Sequence, residues 1–435
     1  MQKKVAQFSI QIVCKLNGAI LSPEFVEQHR KNETDFTRKR SLTFPHLISF
    51  MLNMVNSSIQ SELSRFFHVI QNESISTDTV TSAAFCKARK KISYTAFKSL
   101  NNNLVKTFYE SSLVKRWNGL RLLAVDGSVT KLPNTQELLD HFGKARSHSN
   151  YPAARLSQLY DVSNKVTVDL EVGLHSTGER ELAIKHLACA GAGDLVLYDR
   201  GYPATWLFIL HKQKDIHFCA RATLDSSNII KEFVNSGKSE ALVTFPCVEK
   251  SLRKCRKLGL PTAPITLRLI RIELSKNNIE VLITSLLDQD QFSLKDFKTL
   301  YHQRWFIEED YKIMKSRLEI ENFSGLSVEA IKQDIHAKVL TKNLAAIAIM
   351  EAESITKEKY KHRKLSYKIN FTYVLSQLKD NVIRFILRIA ESTLSGVFIR
   401  QIACAVNAVR PGRKFDRGER NRRRNKYPTT YKRVS

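Results

Sequence analysis

Apolar positions over residues 1–115 recur at helical spacing, with few glycines and no long alternating run, and segments such as Leu42–Val55 and Ile59–Val69 read as helices. Between Thr79 and Tyr109 the spacing predicts two more. The first carries Phe85, Lys87, Arg89, Lys90 and Lys91; after a break at Ser93 the second runs from Tyr94 through Phe97, Leu100, Leu104 and Phe108.

At Leu120 the period changes. LRLLAVDG is a short apolar run closed by Asp-Gly, the pattern of a buried strand that stops. RLSQLYDV and KVTVDLEVGL follow as strands around a turn at Ser163-Asn164. GERELAIKHLACA has helical spacing, DLVLYDRGYP is a second buried strand ending in an acidic turn, ATWLFILHKQ is a helix and IHFCARA another strand. Such alternation predicts a mixed α/β sheet with helices on both faces.

Residues of about 223–290 break the rhythm: ALVTFPCV, ITLRLIRIEL and IEVLITSLLD are strand-like, with a turn at Lys276-Asn277-Asn278 and no long helix evident. Helical spacing returns from Ser293 to about Ala352 and again from Phe371 to Val406. These changes divide the chain into a helical segment (1–115), a first α/β part (116–222), a β-rich insertion (223–292), a second part with C-terminal helices (293–410) and a tail (411–435). The tail follows Pro411-Gly412 and holds ten Lys/Arg against two acids, too charged to fold alone and suited to a phosphate backbone.

Charge narrows the picture. Sixty-nine Lys+Arg against 42 Asp+Glu leave a net charge of +27, which favours a polyanionic partner, nucleic acid being the commonest. Over 1–115 the count is sixteen basic to eight acidic, so that segment is read as a helical DNA-binding domain whose contacts include Lys87, Arg89, Lys90 and Lys91. The seven cysteines are scattered, without a C-x-x-C pair, which argues against a disulfide framework or zinc knuckle and for a reducing compartment. The most apolar stretches, Leu47–Val55 and Leu344–Met350, fall short of the roughly 20 residues of a membrane span, so a cytoplasmic protein without a membrane partner is expected.

Three segments carry candidate chemistry. AVDGS puts Asp126, and VLYDRGY puts Asp199, at strand ends; a helix carries Tyr301, Arg304, Glu308 and Lys315. Phosphodiester chemistry uses two hard cations, and hard cations take carboxylate oxygens. At ~100° per residue the four helix residues fall near ~0°, ~300°, ~340° and ~320°, an arc of roughly 60°, while Leu300, Ile307, Tyr311, Met314 and Leu318 cluster at roughly 220–280°. Glu308 therefore shares a face with the cations and the phenol. Glu309 and Asp310 point away from it, as a solvated acidic run would.

Asp126-Gly127, Asp199-Arg200-Gly201-Tyr202 and Y-x(2)-R-x(3)-E-x(6)-K at Tyr301, Arg304, Glu308 and Lys315, with FCKARKKIS upstream, resemble the signatures of bacterial insertion-sequence DDE transposases of the "insertion sequence four" family. The resemblance covers roughly residues 75–345. It implies an α/β, ribonuclease H-like mixed sheet flanked by helices, interrupted by a β-rich insertion, plus a helical N-terminal domain. It also implies two Mg²⁺ or Mn²⁺ ions held by Asp126, Asp199 and Glu308, and double-stranded DNA as partner, both terminal inverted repeats and target. A homodimer would act on paired ends. Arg200, Tyr301, Arg304 and Lys315 are expected to contact DNA, and Trp305 matches an aromatic position that handles a displaced base in some members. Two other readings share parts of this pattern. A ribonuclease H-like nuclease or resolvase would share the acids, and a non-catalytic DNA-binding descendant would keep the basic surface.

Overall fold

The computed structural model describes residues 7–38, 40–53, 56–71, 80–145, 151–276, 278–387 and 392–410. The basic tail from Pro411 onward and Asn277 of the expected turn lie outside them. Among the described residues the chain opens with α1 (Gln7–Leu21), α2 (Pro23–His29), α3 (Phe44–Leu52), α4 (Ile59–Gln71), α5 (Ser82–Arg89) and α6 (Thr95–Tyr109). Side-chain caps start several of these helices: Thr43 accepts from the His46 N–H ahead of α3, and Thr81 from Ala84 N–H ahead of α5.

Then come β1 (Arg121–Lys131), α7 (Gln136–Phe142), β2 (Ala153–Asp161), β3 (Val166–Leu174), α8 (Glu179–His186), β4 (Asp194–Tyr198), α9 (Thr205–Gln213) and β5 (His217–Ala222). Their order in the sheet is β3-β2-β1-β4-β5, with β2 antiparallel to its neighbours and β4 parallel to both β1 and β5. This is the ribonuclease H-like mixed sheet expected. Helix α7, between β1 and β2, has no counterpart in the sequence reading.

The 223–292 segment departs from expectation in two ways. It contains helices α10 (Asn228–Asn235) and α11 (Glu249–Leu258) besides β6 (Glu240–Phe245), β7 (Ile265–Ser275) and β8 (Asn278–Thr284). Its strands also continue the main sheet, because β8 pairs antiparallel with β5 from Cys219↔Thr284 to Ala222↔Val281. The result is one sheet in the order β3-β2-β1-β4-β5-β8-β7-β6. Pairing with β5 satisfies an edge that would otherwise expose its N–H and C=O groups. Helix α10 follows the polar run Asp225–Ser227, and α11 begins directly after Val248 as a strongly basic segment with few apolar positions.

The rest comprises α12 (Leu294–His302), α13 (Trp305–Ser316), α14 (Val328–Tyr360), β9 (Tyr367–Ile369), α15 (Phe371–Leu378), α16 (Asn381–Ile386), α17 (Ser392–Cys404) and β10 (Val406–Ala408). Helix α14 is 33 residues long and buried around most of its girth, so it lacks the one-sided apolar stripe of a surface helix. It packs against α6, α3, α1 and α17 on the helical side and against β3 on the sheet side. Helix α16 packs on α1, α3 and α4, so the N-terminal helices share a core with the C-terminal ones. No described helix is long and apolar enough to cross a membrane.

Candidate active site

Asp126 is not at a strand end. It lies within β1, paired with Gln158 of β2. The parallel pairing of β1 with β4 nevertheless stops at Ala124↔Leu197, so Asp126 stands two residues beyond the last β4 partner. Asp199 stands two residues beyond Leu197 on the other strand, directly after β4 ends at Tyr198. The two acids therefore occupy equivalent steps where two parallel strands part, the place at which such sheets present reactive groups.

The third acid comes from α13. The expected single helix is two: α12 stops at His302, Gln303 and Arg304 form a turn, and α13 starts at Trp305. Arg304 caps α13 with φ −52° and ψ −32°, so helical dihedrals run on and the facing of its residues survives the break. Ile307, Tyr311, Met314 and Leu318 are buried as the apolar stripe requires.

Arg304 reaches two of the acids. Its Nη2 donates to Glu308 Oε1 at 2.6 Å, and Nη1 lies 3.9 Å from Asp126 Oδ2. Arg304 is 7% exposed, and among the described residues its Nε has no hydrogen-bond partner. Burial pushes the Asp126 carboxyl up to about 6; the Gly127 N–H and Arg304 pull it down, and the charges of Asp199 and Glu308 push it further up. Charge is thus costly at Asp126, with one buried cation beside it.

Both motif glycines sit where a side chain would crowd a carboxylate. A Cβ on Gly201 would approach Asp199 Oδ1 to 3.1 Å; that oxygen accepts the Gly201 N–H at 2.8 Å. A Cβ on Gly127 would meet Glu179 Oε1 at 3.2 Å. Glu179, the first residue of α8, thus lies against Gly127, and its Oε1 accepts from Arg155 Nη1 at 2.6 Å. Neither Glu179 nor Arg155 was singled out in the sequence, since only folding brings α8 onto β1. Arg180 donates to the carbonyls of Tyr202 and Pro203 at 3.0 and 3.2 Å, bracing the turn after Asp199.

Several expected DNA contacts are engaged elsewhere. Tyr301 is buried, and its hydroxyl donates to the Tyr198 carbonyl at 3.2 Å, clasping the strand that ends in Asp199. Arg89 is 4% exposed and bonds Gln333 (3.0 Å), Ser324 (2.8 Å), the Ala330 carbonyl (3.0 Å) and Asp334 (3.0 Å). Its place on the inner face of α5, against α14, turns it from a DNA contact into a core strut. Lys91 pairs with Asp35 at 3.0 Å. Lys87, Lys90 and Arg200 are exposed. Exposed Lys315 donates to the Val129 carbonyl at 2.9 Å, holding α13 against β1. Trp305 is 43% exposed beside Arg304, and its neighbour Phe306, which sequence reasoning passed over, is 42% exposed.

Asp310 does not lie on a solvated face, the usual reading of such an acidic run. It is buried, and its Oδ2 takes an ion pair from Lys342 of α14 and a hydrogen bond from Gln158 Nε2 at 2.7 Å. Only Glu309 of that acidic run is solvated, paired with Lys312.

A Ser157–His186–Asp169 relay has the spacing of a hydrolase triad, 3.0 Å from His186 Nε2 to Ser157 Oγ and 2.7 Å from Nδ1 to Asp169 Oδ2. His186 and Ser157 are 0% exposed and Asp169 3%, with Lys98 as a further partner of Asp169, so no substrate reaches this group. It is a core network.

Among the described residues no three carboxylate, imidazole or thiol groups already converge on one point as ligands. Glu308 is held by Arg304 instead. The donor set nonetheless fits hard divalent cations: all three groups are carboxylates, and their mutual repulsion in a buried setting is relieved by positive charge.

The mixed sheet thus presents two aspartates, and a helix beside it presents a glutamate. Residues 117–344, just over half the chain, match the family described as Transposase DDE domain, and the chain belongs to that family. It is 24% identical over 270 residues to the transposase InsG for insertion sequence element IS4 of Escherichia coli K12, a match covering 61% of this chain and 60% of that protein. It is 27% identical over 143 residues to the putative transposase InsZ of the same organism, covering 32% and 47%. The chain thus spans about half to three-fifths of the length of these curated relatives. A cryo-EM structure of a piggyBac transposase synaptic complex with hairpin DNA aligns over 94% of this chain and 88% of its own, with a TM-score of 0.47 and 11% identity.

Proposed function

We propose that this protein is a cut-and-paste DNA transposase that cleaves the terminal inverted repeats of an insertion sequence and transfers the freed ends to target DNA. The observation that carries the reading is Arg304 standing between Asp126 and Glu308 where β1 and β4 part, with Asp199 at the equivalent step after β4. It is supported by membership of the Transposase DDE domain family. The homodimer on paired ends, in the bacterial cytoplasm and on the nucleoid when DNA-bound, follows from the resemblance.

Asp126, Asp199 and Glu308 would together hold two Mg²⁺ or Mn²⁺ ions through their carboxylates. When bound, such ions neutralise the attacking and leaving oxygens of the phosphodiester. Glu308 must swing off Arg304 to join the two aspartates. Arg304 then keeps a positive charge beside Asp126 and offers its released N–H groups to phosphate oxygens. Tyr301 and Arg180 keep Asp199 in place by bonding the backbone on either side of it. Exposed Lys315 and Arg200 attract the strand, and Trp305 offers a ring face to a base. Further out, a 750 Å³ groove lined by Arg38, Arg40, Lys87 and Lys91 suits a duplex backbone.

The test uses the full chain with a duplex containing the DNA that flanks its gene. Asp126→Ala, Asp199→Ala and Glu308→Ala should each lower Mn²⁺-dependent end cleavage by at least about a hundredfold while leaving duplex binding intact. Near-normal cleavage by any one of them refutes that residue's role. A strand-transfer assay separates a transposase from a nuclease or resolvase, which would cut without joining, and from a non-catalytic descendant, which would do neither.

A further inference from the structure

Two residues beyond Glu308, Asp310 is part of a buried ionic network of a kind the catalytic chemistry does not itself need. Lys342 and Asp310 form an ion pair with side chains 1% and 4% exposed. Lys342 Nζ also donates to Thr167 Oγ1 at 2.6 Å and lies 4.9 Å over the Tyr160 ring. Gln158 Nε2 bridges the same two oxygens, at 2.7 Å from Asp310 Oδ2 and 2.8 Å from Thr167 Oγ1. Asn343 fixes the Thr167 backbone, accepting its N–H at 2.9 Å and donating to its carbonyl at 2.8 Å. The cluster thus joins α13, α14, β2 and β3.

A buried ion pair is a weak source of stability, because desolvation offsets the attraction, whereas its demand for one geometry is strict. The geometry here is aimed. Gln158 is the cross-strand partner of Asp126, and opposed residues on antiparallel strands share a face. Asp310 lies ~200° around α13 from Glu308, so pinning one side of the helix fixes the direction of the other. Tyr311 adds a second tie, its hydroxyl donating to the Asp126 carbonyl at 3.0 Å. Rotating α13 to carry Glu308 away from Asp126 would break all of these bonds together.

We infer that Asp310 and Lys342, with Gln158 as the link to β2, are positioning residues that set Glu308 against Asp126 for divalent-ion binding. This rests on the metal role given above to the three acids. Binding of Mn²⁺ to the full-length protein without DNA, followed by loss of the free-ion paramagnetic resonance signal, reads that role without any turnover. The double variant Asp310→Asn/Lys342→Met removes both charges and so leaves no unpaired one in the core. It should melt near the wild-type temperature and bind Mn²⁺ about 10–100-fold more weakly, as loss of groups that orient ligands does elsewhere. Gln158→Met leaves the ion pair intact and cuts only the link to β2; a smaller loss of affinity in the same direction is expected. It also serves should the double variant not fold.

Asp126→Ala in the same titration defines which binding belongs to the site. If wild type shows no Mn²⁺ binding that Asp126→Ala removes, the metal role fails and this inference with it. If that binding exists and both network variants keep wild-type affinity, the positioning role alone is overturned.

Discussion

Arg304 donates through Nη2 to Glu308 at 2.6 Å from one turn earlier in the chain, while its Nη1 lies 3.9 Å from Asp126. A single guanidinium thus offsets carboxylates from a helix and a strand. Arg304→Met should leave Asp126 and Glu308 facing each other with no cation between them. Divalent ions should then stabilise the variant more than wild type, read as a larger rise in melting temperature on adding Mn²⁺, while end cleavage falls by about 10–1,000-fold. An unchanged Mn²⁺ response would show that Arg304 does not offset these charges.

Asp126 gives a pH-dependent prediction. Its folded carboxyl titrates at about 6 against 3.8 for the ordinary group, chiefly through burial. The folded state therefore holds that proton more tightly than the unfolded chain, and stability falls as pH rises from about 4 to about 6, then levels. Asp126→Asn should stabilise the metal-free protein by about 1–3 kcal/mol at pH 7.5, a gain that disappears near pH 4. Denaturant unfolding at the two pH values checks it; equal gains at both would contradict the raised carboxyl.

Arg89 and Lys87 lie on one short helix and should behave oppositely. Arg89→Met removes the buried cation paired with Asp334, which keeps the Ser324 N–H and hydroxyl as donors, and should cost about 3–5 kcal/mol of folding stability. Lys87→Ala, on the exposed side, should change stability by less than about 0.5 kcal/mol. It should reduce the salt slope of duplex binding by about 1. A stable Arg89→Met protein with a reduced slope would restore Arg89 as a DNA contact.

Tyr301→Phe removes only the hydroxyl that donates to the Tyr198 carbonyl. The expected loss is about 0.5–1.5 kcal/mol of stability with no change in the salt slope of DNA binding. A changed slope at unchanged stability would return the phenol to the DNA.

The sequence by itself determined most of the elements and singled out the three acids proposed to hold metal. Apolar runs and period-3.6 spacing located β1 to β5 with α8 and α9, because burial of strands and of helix faces leaves a local pattern, and missed only α7 among them. Spacing alone put Glu308, not Glu309, on the side of Arg304 and Lys315. Tertiary structure decided what each charged group does. Asp310 and Glu309 are adjacent acids in a polar run, yet one is neutralised by Lys342 from 32 positions away and the other is solvated. Arg89 and Lys87 differ in the same way. Asp126 lies inside β1 yet at the end of β4, a position that exists only between two strands. Local pattern reports which face of an element is apolar; the partner of a buried charge comes from another element, and no local period encodes it.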